Sequence, residues 1–381
     1  MKTLFVTRHY LDQMLGGPNC SKAFVRAVAE IYPTTTLVYP EHSDHQTRMP
    51  FLDGCHTLRL EPVADRRTKW CKCWDMYRGQ LHRFGPFVKD YLSKNSFDLI
   101  FIDHSFTASS GVLEAALASG AKVVVIHHNV EAQYIKDNQP NWLYRIPNNY
   151  FALRAERNSI LHCDLNLTLT DEDKSVFSEA YPERKATFHT IGVFEYEDET
   201  PELVSSSKDL SFVISGSMSA KQTETATLHF LKEYMPVFNE VCPEASLTIT
   251  GRNPSDRIIR EASAFKNIRI EPNPSDLTAE VVKNTYYICP LHTGGGLKLR
   301  CMDALRVGLP VLAHRVSSRG YESIIDDGYM FEYSNKDEFA EGLKKILKLG
   351  DCHANVAESF RTHFSFAAGR ERLRRLLDTC L

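Results

Sequence analysis

Between residues 292 and 310 the chain reads HTGGGLKLRCMDALRVGLP. Three glycines stand in a row, Lys298 and Arg300 follow, and the segment then takes a helical period. A helix N-terminus already offers free N–H groups and about half a positive charge. Two cations there cost a few tenths to about 1 kcal/mol unless an anion lies between them. Phosphate is the simplest such anion. Gly294, Gly295 and Gly296 let the backbone turn tightly and approach it with no Cβ in the way. Lys298 would act as a point charge and Arg300 as a fork on the oxygens. In the competing arrangement Lys298 is solvated and Arg300 pairs with Asp303 at i, i+3, for a fraction of a kcal/mol. The stretch has neither the Lys-Ser/Thr ending of a P-loop nor dinucleotide glycine spacing.

Two further glycine turns occupy matching places. LGGPN (15–19) follows the first apolar run, with Gly16 and Gly17 free to expose backbone amides. SGSMS (215–219) carries Gly216 and Ser217, with Lys221 just beyond. Each alone is an ordinary strand-to-helix turn. Three aimed at one place suit a diphosphate.

The elements that must position these turns alternate. Short runs rich in β-branched residues, TLFVTR (3–8), TTLVYP (35–40), DLIFID (98–103), KVVVIHH (122–128) and LNLTLT (165–170), are separated by longer segments of helical period. A second series follows: LSFVISG (210–216), SLTITG (246–251), NIRIEP (267–272), YYICPL (286–291) and PVLAH (310–314). The expected helices include 19–31, 107–119, 141–162, 224–241 and 297–307. This pattern means α/β architecture, with parallel sheets covered by helices. It breaks at the acidic, polar stretch 193–209. We therefore expect a first Rossmann-like domain over 1–195, a linker over 196–208, a second such domain over 209–364, and a helix over 365–381 returning to the first. Two such doubly wound halves bind ligands at the carboxyl ends of their strands and would enclose a cleft between them.

The chain has 381 residues, 43% apolar and 24% charged, with a formal net charge of −3. That composition is globular, and it gives no overall attraction for nucleic acid. The ten cysteines include no CxxC pair, and we read them as the reduced thiols of a cytoplasmic protein. No apolar stretch approaches the 18 residues that would span a membrane. DED (171–173) opens an expected helix and reads as capping and dipole compensation rather than a metal motif. His127, Asn129 and Glu131 lie close together, but no second acidic cluster supports a metal there. His104 and His128 each end an apolar run, where a histidine is either packed or catalytic.

These residues together resemble family-four GT-B glycosyltransferases, the group 1 glycosyl transferases. ISGSMSAKQTETATLHFL, the 286–313 stretch and RGYE (319–322) match its second domain, in the subgroup with Gly-x-Gly-x-Lys-x-Lys before an acidic-Ala helix. Here those positions are Gly294, Gly296, Lys298, Arg300, Asp303 and Ala304. IHHNVEAQY (126–134) and the first glycine pair resemble its first domain. The resemblance implies retaining transfer of a sugar from a UDP- or GDP-sugar, with no cofactor and no metal. It places the donor against Gly16, Gly17, Gly216, Ser217, Lys221, Gly294, Gly295, Gly296, Lys298, Arg300, Asp303 and Glu322, with His128 beside the reacting sugar. His128, Lys298 and Arg300 would be the catalytic set, the two cations stabilising charge on the departing diphosphate. Asp303 replaces the glutamate that holds the ribose, and Gly295 stands where the family's paired-glutamate motif has its first glutamate.

Residues 65–92 interleave Arg66, Arg67, Lys69, Lys72, Arg78 and Arg83 with Trp70, Trp74, Tyr77 and Phe84. Such a helix packs its aromatics inward and solvates its charges, or else lies on anionic lipid. The second arrangement implies a peripheral enzyme at the cytoplasmic membrane face, acting through 66–84 on a glycan or lipid-linked glycan in cell-surface polysaccharide synthesis. A nucleotide-sugar epimerase of the same architecture and a non-catalytic nucleotide-sugar-binding homologue are the rival readings.

Overall fold

The computed structural model describes residues 1–13, 16–41, 49–55, 58–64, 67–77, 84–109, 111–139, 141–198 and 210–381. The chain forms two compact units, one of Met1–Asp198 with Ser365–Leu381 and one of Glu199–Phe364. Most of the expected linker, 199–208, lies outside the described residues, as do Arg66, Arg78 and Arg83.

The first unit is built on seven parallel strands, β1 Lys2–Thr7, β2 Thr34–Pro40, β3 Arg59–Val63, β4 Leu99–Asp103, β5 Lys122–His127, β6 Leu165–Thr168 and β7 Phe188–Thr190, in the order β3-β2-β1-β4-β5-β6-β7. The central strands are apolar on both faces because helices cover both. On one side Leu4, Val6, Ile100, Ile102, Val123 and Val125 form a core with Val88, Val112 and Ala116. β3 has three exposed residues, Pro62 among them. Its place at the sheet edge tolerates the missing N–H, and its polarity hid it from a search for apolar runs.

Two expected helices are corrected. The 19–31 segment starts at Gly16 and runs to Ile31, so Gly16 and Gly17 form its first turn rather than a preceding loop; their amides are still among those a helix start leaves unpaired. The 107–119 segment is two helices, Ser105–Ala108 and Val112–Ala118. Thr170, not the DED acids, caps the helix Asp171–Ala180, and the three acids occupy its first turn.

The last helix, Phe366–Cys380, packs on Gly16–Ile31. Gly369 permits this, since a Cβ there would lie 1.9 Å from Cγ of Phe194. Arg370 pairs with Glu30, and Arg372 donates to the Ile191 carbonyl. The Arg26 guanidinium stacks 3.9 Å from the Phe366 ring centroid.

The second unit has six parallel strands, β8 Ser211–Ser217, β9 Ser246–Arg252, β10 Ile268–Pro272, β11 Tyr286–Cys289, β12 Val311–His314 and β13 Met330–Tyr333, in the order β10-β9-β8-β11-β12-β13. Phe212, Phe230, Phe238, Tyr286, Tyr333 and Phe339 fill its core. The expected helix 224–241 begins earlier, at Lys221, and breaks into Lys221–Glu233 and Met235–Val241, Pro236 fitting the first turn of the second piece. In each sheet the strand order reverses once, between β1 and β4 and between β8 and β11. Parallel sheets hold ligands at such points.

Candidate functional site

In the second unit, the turn after β8 and the glycine loop after β11 flank the reversal. The helix Leu299–Arg306 has Lys298 as its N-cap residue, with no side-chain cap. Gly294 and Gly296 have φ of +90° and +69°. Lys298 Nζ donates to the carbonyls of Gly294 at 3.1 Å and Gly295 at 2.7 Å. Its own carbonyl accepts from the buried Tyr321 hydroxyl at 2.9 Å. Burial first, then the cations of Arg300 and Arg319, pull the Lys298 ammonium down to about 8.

Arg300 reaches across to β8. It donates to the Ser215 carbonyl and to Thr223 Oγ1, each at 3.1 Å. No ion pair joins it to Asp303 among the described residues, because β8 and β11 are neighbours and bring that carbonyl within reach. Gln222 donates to the Thr293 carbonyl, tying the same two turns together. Gly216, Lys298, Arg300 and the glycine loop are thus brought together. Ser217 and Lys221 are exposed beside them, and Asp303 is exposed on its helix. Glu322 opens the short helix Glu322–Asp326 and accepts from Gly320 N at 3.0 Å.

In the first unit, β1, β4 and β5 lie side by side and each ends in polar residues. Asp103, the last residue of β4, is fully buried. Its Oδ2 accepts from Thr7 Oγ1 and Ser21 Oγ, both at 2.6 Å, and its Oδ1 lies 2.6 Å from His128 Nε2. Burial alone would raise this carboxyl, but the His128 imidazole, His9 and the Ser21 hydroxyl hold it below the ordinary carboxylate range. His9 Nδ1 lies 2.6 Å from Ser21 Oγ. The rings of His9, His104 and His128 gather at centroid distances of 5.2–5.6 Å. Gly17 sits under His9, where a Cβ would come within 3.0 Å of its Cε1.

His104 has both nitrogens engaged: Nδ1 accepts from Phe106 N at 3.1 Å, and Nε2 lies 3.1 Å from Glu131. Burial would raise Glu131, but His104 and Asn129 bring it down to about 2. His127 faces elsewhere, toward Asn166 at 2.9 Å, and burial lowers it to about 4. It is therefore not grouped with Asn129 and Glu131 as a metal site would require. Ligand atoms of His9, Asp103 and His128 do lie within 4.8 Å of one another, but hydroxyls and imidazole already occupy both oxygens of Asp103.

Sequence reasoning missed His9, Ser21 and Asp103. His9 lies just past β1, Asp103 ends β4 and Ser21 stands in the second turn of Gly16–Ile31, and their convergence depends on β1 lying beside β4, which no local pattern states.

Residues 209–349 match the family model described as glycosyl transferases group 1. No curated protein matches the chain in sequence. The fold matches several solved structures. Alr3699/HepE from Anabaena, in complex with UDP, has a TM-score of 0.66 at 11% identity, each chain covered in full. The lipopolysaccharide outer core galactosyltransferase WaaB matches at 0.64 with 12% identity, again over both whole chains. WaaG, a glycosyltransferase involved in lipopolysaccharide biosynthesis, matches at 0.60 with 15% identity, over 98% of this chain and 99% of its own.

Proposed function

We propose that the chain, whose residues 209–349 match the group 1 glycosyl transferases, moves a sugar from a UDP- or GDP-sugar to a glycan or lipid-linked glycan, with retention of anomeric configuration. The observation that carries this reading is the tie between Arg300 and the β8 turn, which gathers the Gly216 turn, the Gly294–Gly296 loop and Lys298 around one helix N-terminus. Cations and free amides at such a place suit the two phosphates of a leaving nucleoside diphosphate. In this reading the second unit binds the donor, with Asp303 toward the ribose and Glu322 toward the sugar, while the first unit receives the acceptor near His128. A diphosphate held by Lys298, Arg300 and loop amides leaves without a metal.

The membrane-facing part of the reading draws support from two touching helices, Lys69–Tyr77 and Trp142–His162. The sequence alternative with inward-facing aromatics does not describe Trp70 and Trp74, which are 87% and 66% exposed. Trp142, Ile146 and Tyr150 are each about 60% exposed on the second helix. The exposed charges of the two helices among the described residues, Lys69, Lys72, Arg145, Arg154 and Arg157, are all cations; Asp75 and Glu156 are buried. Apolar side chains among cations fit an anionic lipid surface. Among the described residues no helix is long and apolar enough to cross a membrane.

A thermal-shift series with UDP, GDP, ADP and CMP tests the donor. One nucleoside diphosphate at about 100 times its Kd adds near 2.7 kcal/mol and raises Tm visibly; no shift with any of them removes the donor reading. Co-sedimentation with phosphatidylglycerol vesicles at low salt tests the surface separately. Binding should weaken with salt and with Trp70→Ala/Ile146→Ser, and a chain that stays in the supernatant loses the membrane reading.

A further inference from the structure

The glycine loop of the second unit is held at both ends by hydroxyls that are not its own. It follows β11 at Leu291 and joins the helix Leu299–Arg306 at Lys298. Ser317 Oγ donates to the Leu291 carbonyl at 2.6 Å, and the Tyr321 hydroxyl donates to the Lys298 carbonyl at 2.9 Å. Both side chains are fully buried. Both come from one segment, 315–321, which follows β12. β11 and β12 are paired, with Cys289 opposite Ala313, so what leaves one strand can reach what leaves the other. The segment itself rests on parts of the unit outside the loop. Arg315 N donates to the Tyr333 carbonyl on β13 at 2.8 Å, and Ser318 Oγ donates to Glu332 on the same strand. The Tyr321 ring packs against Phe364, centroids 5.4 Å apart, at the end of the helix His353–Phe364.

Between the two held ends lie Gly294, Gly295 and Gly296, two of them at positive φ. Glycine has the most backbone freedom to lose, so a free loop of this composition spends little of its time in any single shape. A ligand binds only the molecules that hold the competent shape, and its apparent affinity falls by that fraction. Lys298 Nζ also bonds the carbonyls of Gly294 and Gly295, but a phosphate arriving at the ammonium competes for those contacts. The buried hydroxyls of Ser317 and Tyr321 do not face that competition. Resting on the donor reading, we propose that Ser317 and Tyr321 are positioning residues for the nucleoside diphosphate: by pinning both ends of the glycine loop, they keep its amides and the Lys298 backbone in the binding shape before the ligand arrives. They act through the loop and need no contact with the ligand.

Tyr321→Phe keeps the ring and removes only the hydroxyl, and Ser317→Ala removes the other. In the full-length chain each should weaken binding of UDP, or of GDP if the thermal-shift series selects it, by about 3–10-fold in calorimetry, the size of one net hydrogen bond. Hydrogen exchange without nucleotide should quicken in both variants at residues 292–298 and stay as it was in the rest of the second unit. Saturating nucleotide should slow it again. Unaltered affinity in both variants overturns the proposal. So does exchange that quickens throughout the second unit, which would make the hydroxyls part of its general packing. Failure of the donor reading shows differently, as absent binding of UDP and GDP to the unaltered chain, and takes the proposal with it.

Discussion

Gly216 and Arg300 compete for one space: a Cβ built on Gly216 would stand 2.8 Å from the Arg300 guanidinium carbon, and Gly216 holds φ of +144°. The glycine is therefore the condition for the arginine to reach the Ser215 carbonyl. Gly216→Ala should strain the turn and push Arg300 out. We expect a loss of about 1–3 kcal/mol in urea unfolding, from the backbone conformation and the clash together. UDP affinity should fall with it, and a variant with unaltered stability and affinity would contradict the contact.

Lys298 stands on the site's other side. Lys298→Ala should weaken UDP binding about 10–100-fold, or about 1.5–3 kcal/mol for a charged hydrogen bond, as read by calorimetry.

The lowered pKa of Lys298, about 8, carries its own pH signature. A folded pKa below the unfolded lysine value of about 10.4 means that the unfolded state holds more protons between those limits. The Lys298 contribution to stability therefore rises with pH across about 8–10.4. Ligand affinity should move the other way, since the charge that attracts phosphate is lost as pH passes 8. UDP titrations at pH 7 and pH 9 should show weaker binding at pH 9, and Lys298→Ala should flatten that difference.

Asp103 shifts stability in the same direction as Lys298, in a more acidic window. Its folded pKa is depressed, so its contribution is present above the unfolded value of about 3.9 and is lost as pH falls below it. Asp103→Asn should cost about 3 kcal/mol at pH 7, since three donors lose a buried anion. Urea unfolding should show the gap between variant and unaltered chain narrowing below about pH 4.

Gly369→Ala places a methyl against Phe194 and should destabilise the first unit by about 1–3 kcal/mol. Hydrogen exchange should show the gain in opening at Phe366–Cys380 and Gly16–Ile31, with the second unit unaffected.

The parallel sheets were legible because β-branched runs such as VVVI and FVIS stand out on both faces. β3, β7 and β13 were not, since edge strands are short and need no continuous apolar run. The glycine loop was visible through its unusual cations, which pointed to phosphate, yet the one protein partner considered for Arg300, in the competing arrangement, was Asp303. The partners it has, Ser215 and Thr223, lie 85 and 77 residues away. Spacing along a helix reports i, i+3 and i, i+4 neighbours and is silent on adjacent strands. The same limit hid His9, Ser21 and Asp103, whose meeting requires the order β1-β4-β5. Exposure of Trp70 and Trp74 was undecidable because i, i+4 spacing puts both on one face of the helix Lys69–Tyr77 without saying whether that face meets protein or solvent.

The helix Phe366–Cys380 completes the first unit although it follows the whole of the second. On the ribosome, where chains grow at about 5–20 residues per second and domains fold as units, the second unit can close as soon as its own strands emerge. The first must wait with the face of Gly16–Ile31 uncovered until Phe366 and Gly369 arrive to seat against Phe194. Order of synthesis and order of completion are thus reversed in this chain, and its earliest residues are among the last to reach their final packing.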